Sequence, residues 1–265
     1  MFKKRVVTAC FLLLITVNAV FYCPPFLWMI ITGMVVQGLL WEFAKMTRMT
    51  AAQVPYYLLT SALLQGLLWL VKDQLGWIAS AVILVFWLGI APLWLVKRWP
   101  LLPNWTGWVT GWLIFLPAWM AFQVLRPLPA MGRQLLVLMG IVWVADTVAY
   151  ITGKLYGKHK LADHISPGKS WEGFIGGLIG TLLYSVLLDQ LGYLPISLSR
   201  WAVPALAILL CITSVIGDLL ESWFKREAAI KDSSYLLPGH GGLYDRMDGL
   251  VAVLAVSMAC LVITQ

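Results

Sequence analysis

Carboxylates are scarce in this chain and nearly missing from its first half. Glu42 and Asp73 are the only two before Asp146, and the other ten lie between Asp146 and Asp248. An ordinary soluble domain is about 25% charged; this chain is 12% charged, which excludes a water-soluble globular fold. Cysteine is equally sparse. Cys10, Cys23, Cys211 and Cys260 form no CxxC pair and three sit in apolar runs, so neither a disulfide framework nor a zinc site is expected. The spacing GxxxxGK[ST] of a P-loop is missing, as are an internal repeat, a low-complexity tract and a linker of domain-separating length.

What the chain has in quantity is apolar sequence, 61% of its residues. Runs over roughly 6–22, 26–43, 55–71, 76–96, 105–125, 134–152, 173–192, 201–221 and 249–264 are each long enough to cross a hydrocarbon layer of ~30 Å. The expected fold is therefore an all-α polytopic membrane protein of about nine transmembrane helices. The first run follows Lys3, Lys4 and Arg5, but Cys23-Pro24-Pro25 offers no small-residue cleavage site, so the segment reads as retained. Residues 1–265 read as one integral membrane domain, with 1–133 mainly scaffold and 134–265 carrying the chemistry. Tryptophans near span ends, Trp28, Trp77, Trp105 and Trp201 among them, suit an interfacial belt.

Cations orient the chain. With the N-terminus in the cytoplasm, fifteen of the nineteen Lys and Arg fall on the cytoplasmic side, and Lys72, Arg126, Arg133 and Arg200 on the other. Both polar stretches, 153–172 and 222–248, then face the cytoplasm from a bacterial-type inner membrane. The net charge of +7 describes a basic inner surface facing anionic lipid head groups of the bilayer, with no nucleic-acid partner.

Three constellations carry chemistry. Asp146, near the end of a span, is an intramembrane carboxylate and so a functional candidate. Ser166-Pro167-Gly168-Lys169-Ser170 precedes a helix, where backbone N–H groups and the Lys169 charge suit phosphate; Gly176, Gly177 and Gly180 beyond it suit close helix packing. Asp218 and Glu221 are three residues apart, hence on one helix face, and Asp245 and Asp248 repeat the spacing. Four carboxylates so placed call for a divalent cation, and all-oxygen ligands favour Mg²⁺ over zinc. Lys225, Arg226, Lys231 and Arg246 are available to phosphates, Asp232 joins the candidates for a hard cation, and Gly241 and Gly242 let backbone approach a ligand. His240, between glycines, is placed to donate to phosphate, carry a proton or stabilise its turn. Glu42, Lys45 and Arg48 read as a solvated helix end.

The run from Ser222 through Lys225-Arg226, Lys231-Asp232, Ser234 and Leu237-Pro238-Gly239-His240-Gly241-Gly242 to Asp245-Arg246 and Asp248 resembles the signature of the phosphatidate cytidylyltransferases, or CDP-diacylglycerol synthases. Ser166–Gly173 and Ser214–Asp218 are similar to that family too, so the match covers most of 145–250. The resemblance implies CTP and phosphatidate as substrates, CDP-diacylglycerol and diphosphate as products, Mg²⁺ as cofactor, a nearby monovalent cation such as K⁺, and a homodimer as one expected assembly. It implies Asp218 and Asp245 as metal ligands, with Glu221 and Asp248 beside them. Lys225, Arg226, Lys231 and His240 join the catalytic set, and Asp146, Ser166, Lys169, Ser222, Asp232, Gly241, Gly242 and Arg246 the substrate set. A CTP-dependent polyprenol or phytol kinase is the alternative enzyme, and a transporter the non-enzymatic one; the latter predicts midplane charges and repeated broken helices.

Overall fold

The computed structural model describes residues 13–74, 76–194, 201–237, 239 and 241–264. Helices follow in the order α1 Leu13–Tyr22, α2 Pro25–Met46, α3 Gln53–Val71, α4 Gly76–Leu84, α5 Ala91–Lys97, α6 Trp105–Leu125, α7 Gly132–Tyr156, α8 Trp171–Gln190, α9 Ala202–Glu227 and α10 Tyr244–Thr264. Between α4 and α5 the helix widens to a π turn at Val85–Ile90. Pro92, which follows, has no N–H to give to the Leu88 carbonyl, so an ordinary helical bond is lost there.

Eight stretches among the described residues are long and apolar enough to span a bilayer, against the nine expected. The difference lies in the first: only Leu13–Tyr22 of the run 6–22 falls among the described residues, as a shorter apolar helix. The fold is also not purely helical. β1 Lys160–Ala162 and β2 Ser166–Ser170 form an antiparallel hairpin between α7 and α8. The expected polar stretches are correspondingly shorter than 153–172 and 222–248. α7 runs to Tyr156, α9 to Glu227, and α10 begins at Tyr244, so Lys225, Arg226, Asp245 and Asp248 stand on helical turns. Hydropathy undercounts such ends because a charged residue lowers the window average while its backbone bonds continue unbroken.

α10 lies innermost, packed on α9, α4 and α6, and its residues from Leu250 to Ala259 are almost all buried. α7 and α8 meet along small residues. A Cβ added at Gly177 would stand 2.8 Å from the Ala145 carbonyl oxygen, and one at Gly173 would stand 2.9 Å from that of Ala149. These glycines therefore act in helix packing, as expected for Gly176, Gly177 and Gly180.

Two outlying side chains turn out to be internal. Arg126 is fully buried; Nε donates to the Val20 carbonyl (2.8 Å) and Nη2 to that of Cys23 (2.6 Å), which fastens α1 to the end of α6 by its C-terminal carbonyls. Trp28 is buried as well, its indole N–H donating to the Phe122 carbonyl at 3.0 Å, whereas Trp77, Trp105 and Trp201 are exposed as a belt requires.

Gly177→Leu should force α7 and α8 apart and lower stability by about 1–3 kcal/mol, read as a fall in the melting temperature of detergent-solubilised protein. Gly168→Ala, where nothing lies within 4 Å of the added carbon, should melt like the parent.

Candidate active site

The site begins with the crossing of α9 and α10. A Cβ on Gly217 would come within 2.6 Å of the Asp248 carbonyl oxygen, and one on Gly249 within 2.5 Å of Ser214 Oγ. Only glycine allows this approach, and it sets Asp218 and Glu221 of α9 beside Asp245 and Asp248 of α10. The equal spacing of the two pairs in sequence thus becomes adjacency of two helix faces.

Adjacent carboxylates repel unless cations or donors intervene. Lys225 Nζ stands 2.7 Å from Glu221 Oε2 and 2.6 Å from Asp245 Oδ1, and Lys169 Nζ stands 2.5 Å from Asp218 Oδ2. Asp245 Oδ2 further accepts from the backbone N–H groups of Ser233 and Gly242, each at 2.8 Å. Asp248 Oδ1 accepts from Gly249 N at 2.8 Å. Glu221 is fully buried, and its Oε1 has no hydrogen-bond partner among the described residues. No three His, Cys, Asp or Glu side chains among those residues converge as the ligands of one ion would. Two lysine ammoniums sit among the four carboxylates instead. Ionised, the four carry two more charges than Lys169 and Lys225 neutralise. With an orphaned buried oxygen and hard-oxygen donors throughout, the set suits a divalent cation such as Mg²⁺.

Beside this knot a cavity of about 330 Å³ opens between α7, α8, α9 and the hairpin. Asp146, Tyr150, Lys154, Lys169, Ser170 and Asp218 supply its polar lining, against apolar walls such as Phe174 and Val215. That volume and mixed lining suit a small-molecule site. Asp146, Lys169 and Asp218, from three separate stretches of sequence, line it together. Lys169, however, sits on β2, and the first turn of α8 is already capped by Ser170, whose Oγ accepts from Gly173 N at 3.1 Å. The charge that this stretch presents to the cavity is therefore that of Lys169, while one of the first helix N–H groups is already taken up by the cap.

The other candidates divide. Ser222 Oγ is 3.4 Å from Asp218 Oδ1, at the edge of the same site. Arg226 Nε donates to the Ile165 carbonyl at 3.2 Å and ties the hairpin to the end of α9. Ser166 begins β2, away from the cavity wall. Lys231, Asp232 and Arg246 are exposed on the α9–α10 connection and the first turn of α10. Gly241 adopts φ +85°, which a side chain would strain, and Gly242 is packed against Ser233 and Glu42. His240 lies outside the described residues.

Two residues escape the sequence reading, Glu42 and Glu172. Glu42 is not a solvated helix end: it is fully buried, with Ser233, Ser234, Leu243 and Tyr244 all donating to its carboxylate. Arg48, in the same reading, is indeed exposed just past the end of α2, and its Nη2 donates to the Glu227 carbonyl at 2.9 Å. Glu172 closes the base of the hairpin by accepting from Lys158 N (3.1 Å) and by contact with His159 Nδ1 (2.6 Å). A signal for Glu42 was present, since a carboxylate inside an apolar run is costly unless it has a task.

Comparison with known proteins adds a second line. The model of the cytidylyltransferase family matches residues 3–264. The chain is 37% identical over 268 residues to a phosphatidate cytidylyltransferase of Pseudomonas aeruginosa, covering 98% of this chain and 97% of that protein. It is 33% identical over 292 residues to the protein of the same name from Haemophilus influenzae, with 96% of each covered. A namesake from Brucella abortus is 43% identical over 152 residues, 57% of this chain and 55% of its own.

Lys225→Met should leave Glu221 and Asp245 without their shared cation. Removing one partner of a buried charge cluster costs about 3–5 kcal/mol, so the metal-free protein should melt several degrees lower; an unchanged melting curve would show that the ammonium does not hold these carboxylates.

Proposed function

The chain belongs to the cytidylyltransferase family, and on that premise we propose that it transfers a cytidylyl group from CTP to phosphatidate, yielding CDP-diacylglycerol and diphosphate. The observation that carries the reading to particular residues is the meeting of Lys169 and Asp218 in a polar-lined cavity, with Glu221, Asp245 and Asp248 beside it.

In the reaction, a phosphate oxygen of phosphatidate bonds to the α-phosphorus of CTP as the bond from that phosphorus to the bridging oxygen breaks; diphosphate leaves with the electron pair. The phosphatidate phosphate is largely ionised near neutral pH, so no strong general base is needed. The difficulty is bringing two polyanions together, which positioning and charge neutralisation address. Asp218 and Asp245 would hold Mg²⁺, with Asp248 and Glu221 beside them, and a monovalent cation such as K⁺ nearby. The ion would neutralise and align phosphate oxygens. Lys169 lines the cavity with its ammonium on Asp218, within reach of a phosphate that enters there. Lys225 keeps Glu221 and Asp245 paired, a role in the site's electrostatics that differs from the free phosphate contact expected of it. Asp146 and Lys154 line the same cavity and would face the nucleotide or lipid head group.

The excess of cations on one side supports a cytoplasmic N-terminus and a cytoplasm-facing site in an inner membrane. The acyl tails of phosphatidate would remain in the bilayer while its phosphate enters between helices. That accounts for a nucleotidyltransferase built within a membrane.

Purified protein given phosphatidate, Mg²⁺ and CTP labelled at the α-phosphate should carry label into the lipid phase. Label transferred only from the γ-phosphate to an alcohol would replace this reading with the kinase. Asp218→Asn should reduce turnover at least a hundredfold, as loss of an electrostatic contribution of ~3 kcal/mol implies.

Lys169→Ala should lower kcat/KM by one to two orders of magnitude, the loss of a charge-assisted hydrogen bond of ~1.5–3 kcal/mol. Lys72→Ala, at the far end of α3, should leave it within twofold of the parent, roughly the limit for a screened distant charge. Equal losses would remove Lys169 from the site.

Orientation is tested by cysteine labelling in sealed vesicles. Ser233 is only 3% exposed and a poor reporter, whereas Tyr235 is 92% and Trp201 80% exposed. Single cysteines at 235 and 201 should react from opposite sides; reaction from one side would refute the proposed topology.

A further inference from the structure

We propose that Glu42 is a positioning residue for the reaction, a carboxylate from the scaffold half that fixes the start of α10 and, through Ser233, the carboxylate of Asp245. The inference rests on the reading above that Asp245 serves the cation site.

Glu42 sits near the end of α2 with no exposed surface, and no Lys or Arg makes an ion pair with it among the described residues. A bare buried carboxylate is costly, so what surrounds it must be matched to its charge. Neutral donors do this from four residues, Ser233, Ser234 and Leu243 of the α9–α10 connection and Tyr244 at the start of α10. Oε1 accepts from Ser234 Oγ at 2.5 Å and from Leu243 N at 2.8 Å. Oε2 accepts from Ser233 Oγ at 2.9 Å and from Tyr244 N at 2.7 Å. Tyr244 is the first residue of α10. Glu42 therefore caps that helix from another part of the chain, at the end where the helix dipole favours negative charge.

The next residue in the chain is Asp245. Its Oδ2 lies 2.9 Å from the same Ser233 Oγ that reaches Glu42, and it accepts from Ser233 N and Gly242 N. The two carboxylates thus share one serine as a gauge of their separation. Gly242 passes between them so closely that a Cβ would stand 2.7 Å from Glu42 Oε1 and collide with Ser233 Oγ. A loop that could otherwise swing is fastened at Ser233–Ser234 and again at Leu243–Tyr244, by one side chain that touches neither the cavity nor, on this reading, a substrate.

Glu42→Gln isolates the effect. The amide keeps the volume and replaces one acceptor by an NH₂ group. Whichever way it turns, either Leu243 N–H or Tyr244 N–H faces a donor, and a backbone N–H, unlike a serine hydroxyl, cannot rotate to accept. The full chain in lipid nanodiscs is measured two ways. Without metal, hydrogen exchange of the amides at 242–244 should be about tenfold faster or more in the variant, while the hairpin at 160–170 exchanges as in the parent. With CTP and phosphatidate, kcat should fall about tenfold or more and the Mg²⁺ concentration for half-activity should rise several-fold. A merely structural role would lower the folded fraction and leave that Mg²⁺ concentration unmoved.

Parent-like exchange at 242–244 overturns the proposal, and so does a loss of activity that follows the folded fraction alone. If Glu42→Gln does not fold, Ser234→Ala, which removes one donor, must show faster exchange and a raised Mg²⁺ requirement in smaller measure, and a parent-like result in both overturns the proposal. Asp245→Asn, run alongside, separates the two readings. An unchanged Mg²⁺ requirement there refutes the cation site at Asp245 and the coupling proposed for Glu42, while the metal-free exchange still judges the clamp itself.

Discussion

Negative charge held inside an apolar bundle is the constraint to which the rest of this structure answers. Asp218, Glu221, Asp245, Asp248 and Glu42 are drawn into a small region by helix packing, Glu221 and Glu42 fully buried and the other three partly so. Each is met differently: Asp218 by Lys169, Glu221 and Asp245 by Lys225, Asp248 by the Gly249 N–H, Glu42 by serine hydroxyls and backbone N–H groups. A surplus of carboxylate over lysine remains, and on the proposed function it would be met by a divalent cation.

The packing that creates the surplus is of a kind membranes favour. Lipid gives no hydrophobic drive between helices, so close backbone approach over small residues has to hold them. Gly217 and Gly249 do this for α9 and α10, and Gly173 and Gly177 do it for α7 and α8. The first contact sets the carboxylate pairs side by side. The second, with the hairpin that follows α7, shapes the cavity in which Lys169 reaches Asp218. The two halves of the chain are also joined by hydrogen bonds: Glu42 accepts from Tyr244 N at the start of α10, and Arg48 donates to the Glu227 carbonyl at the end of α9.

Sequence alone determined the setting and most of the parts. Hydropathy located the eight spans after the first to within about six residues, because an apolar run has one stable use at that length. The i, i+3 spacings of 218/221 and 245/248 told which carboxylates share a helix face, since helical geometry is local, and the run from Ser222 to Asp248 carried the family resemblance. The tertiary structure decided the pairings. That Lys225 lies between Glu221 and Asp245, that Arg226 ties down the hairpin and that Glu42 is a buried clamp instead of a solvated helix end are matters of what other helices bring near. A side chain's role follows from its partners across the bundle, and spacing along one helix holds no information about them.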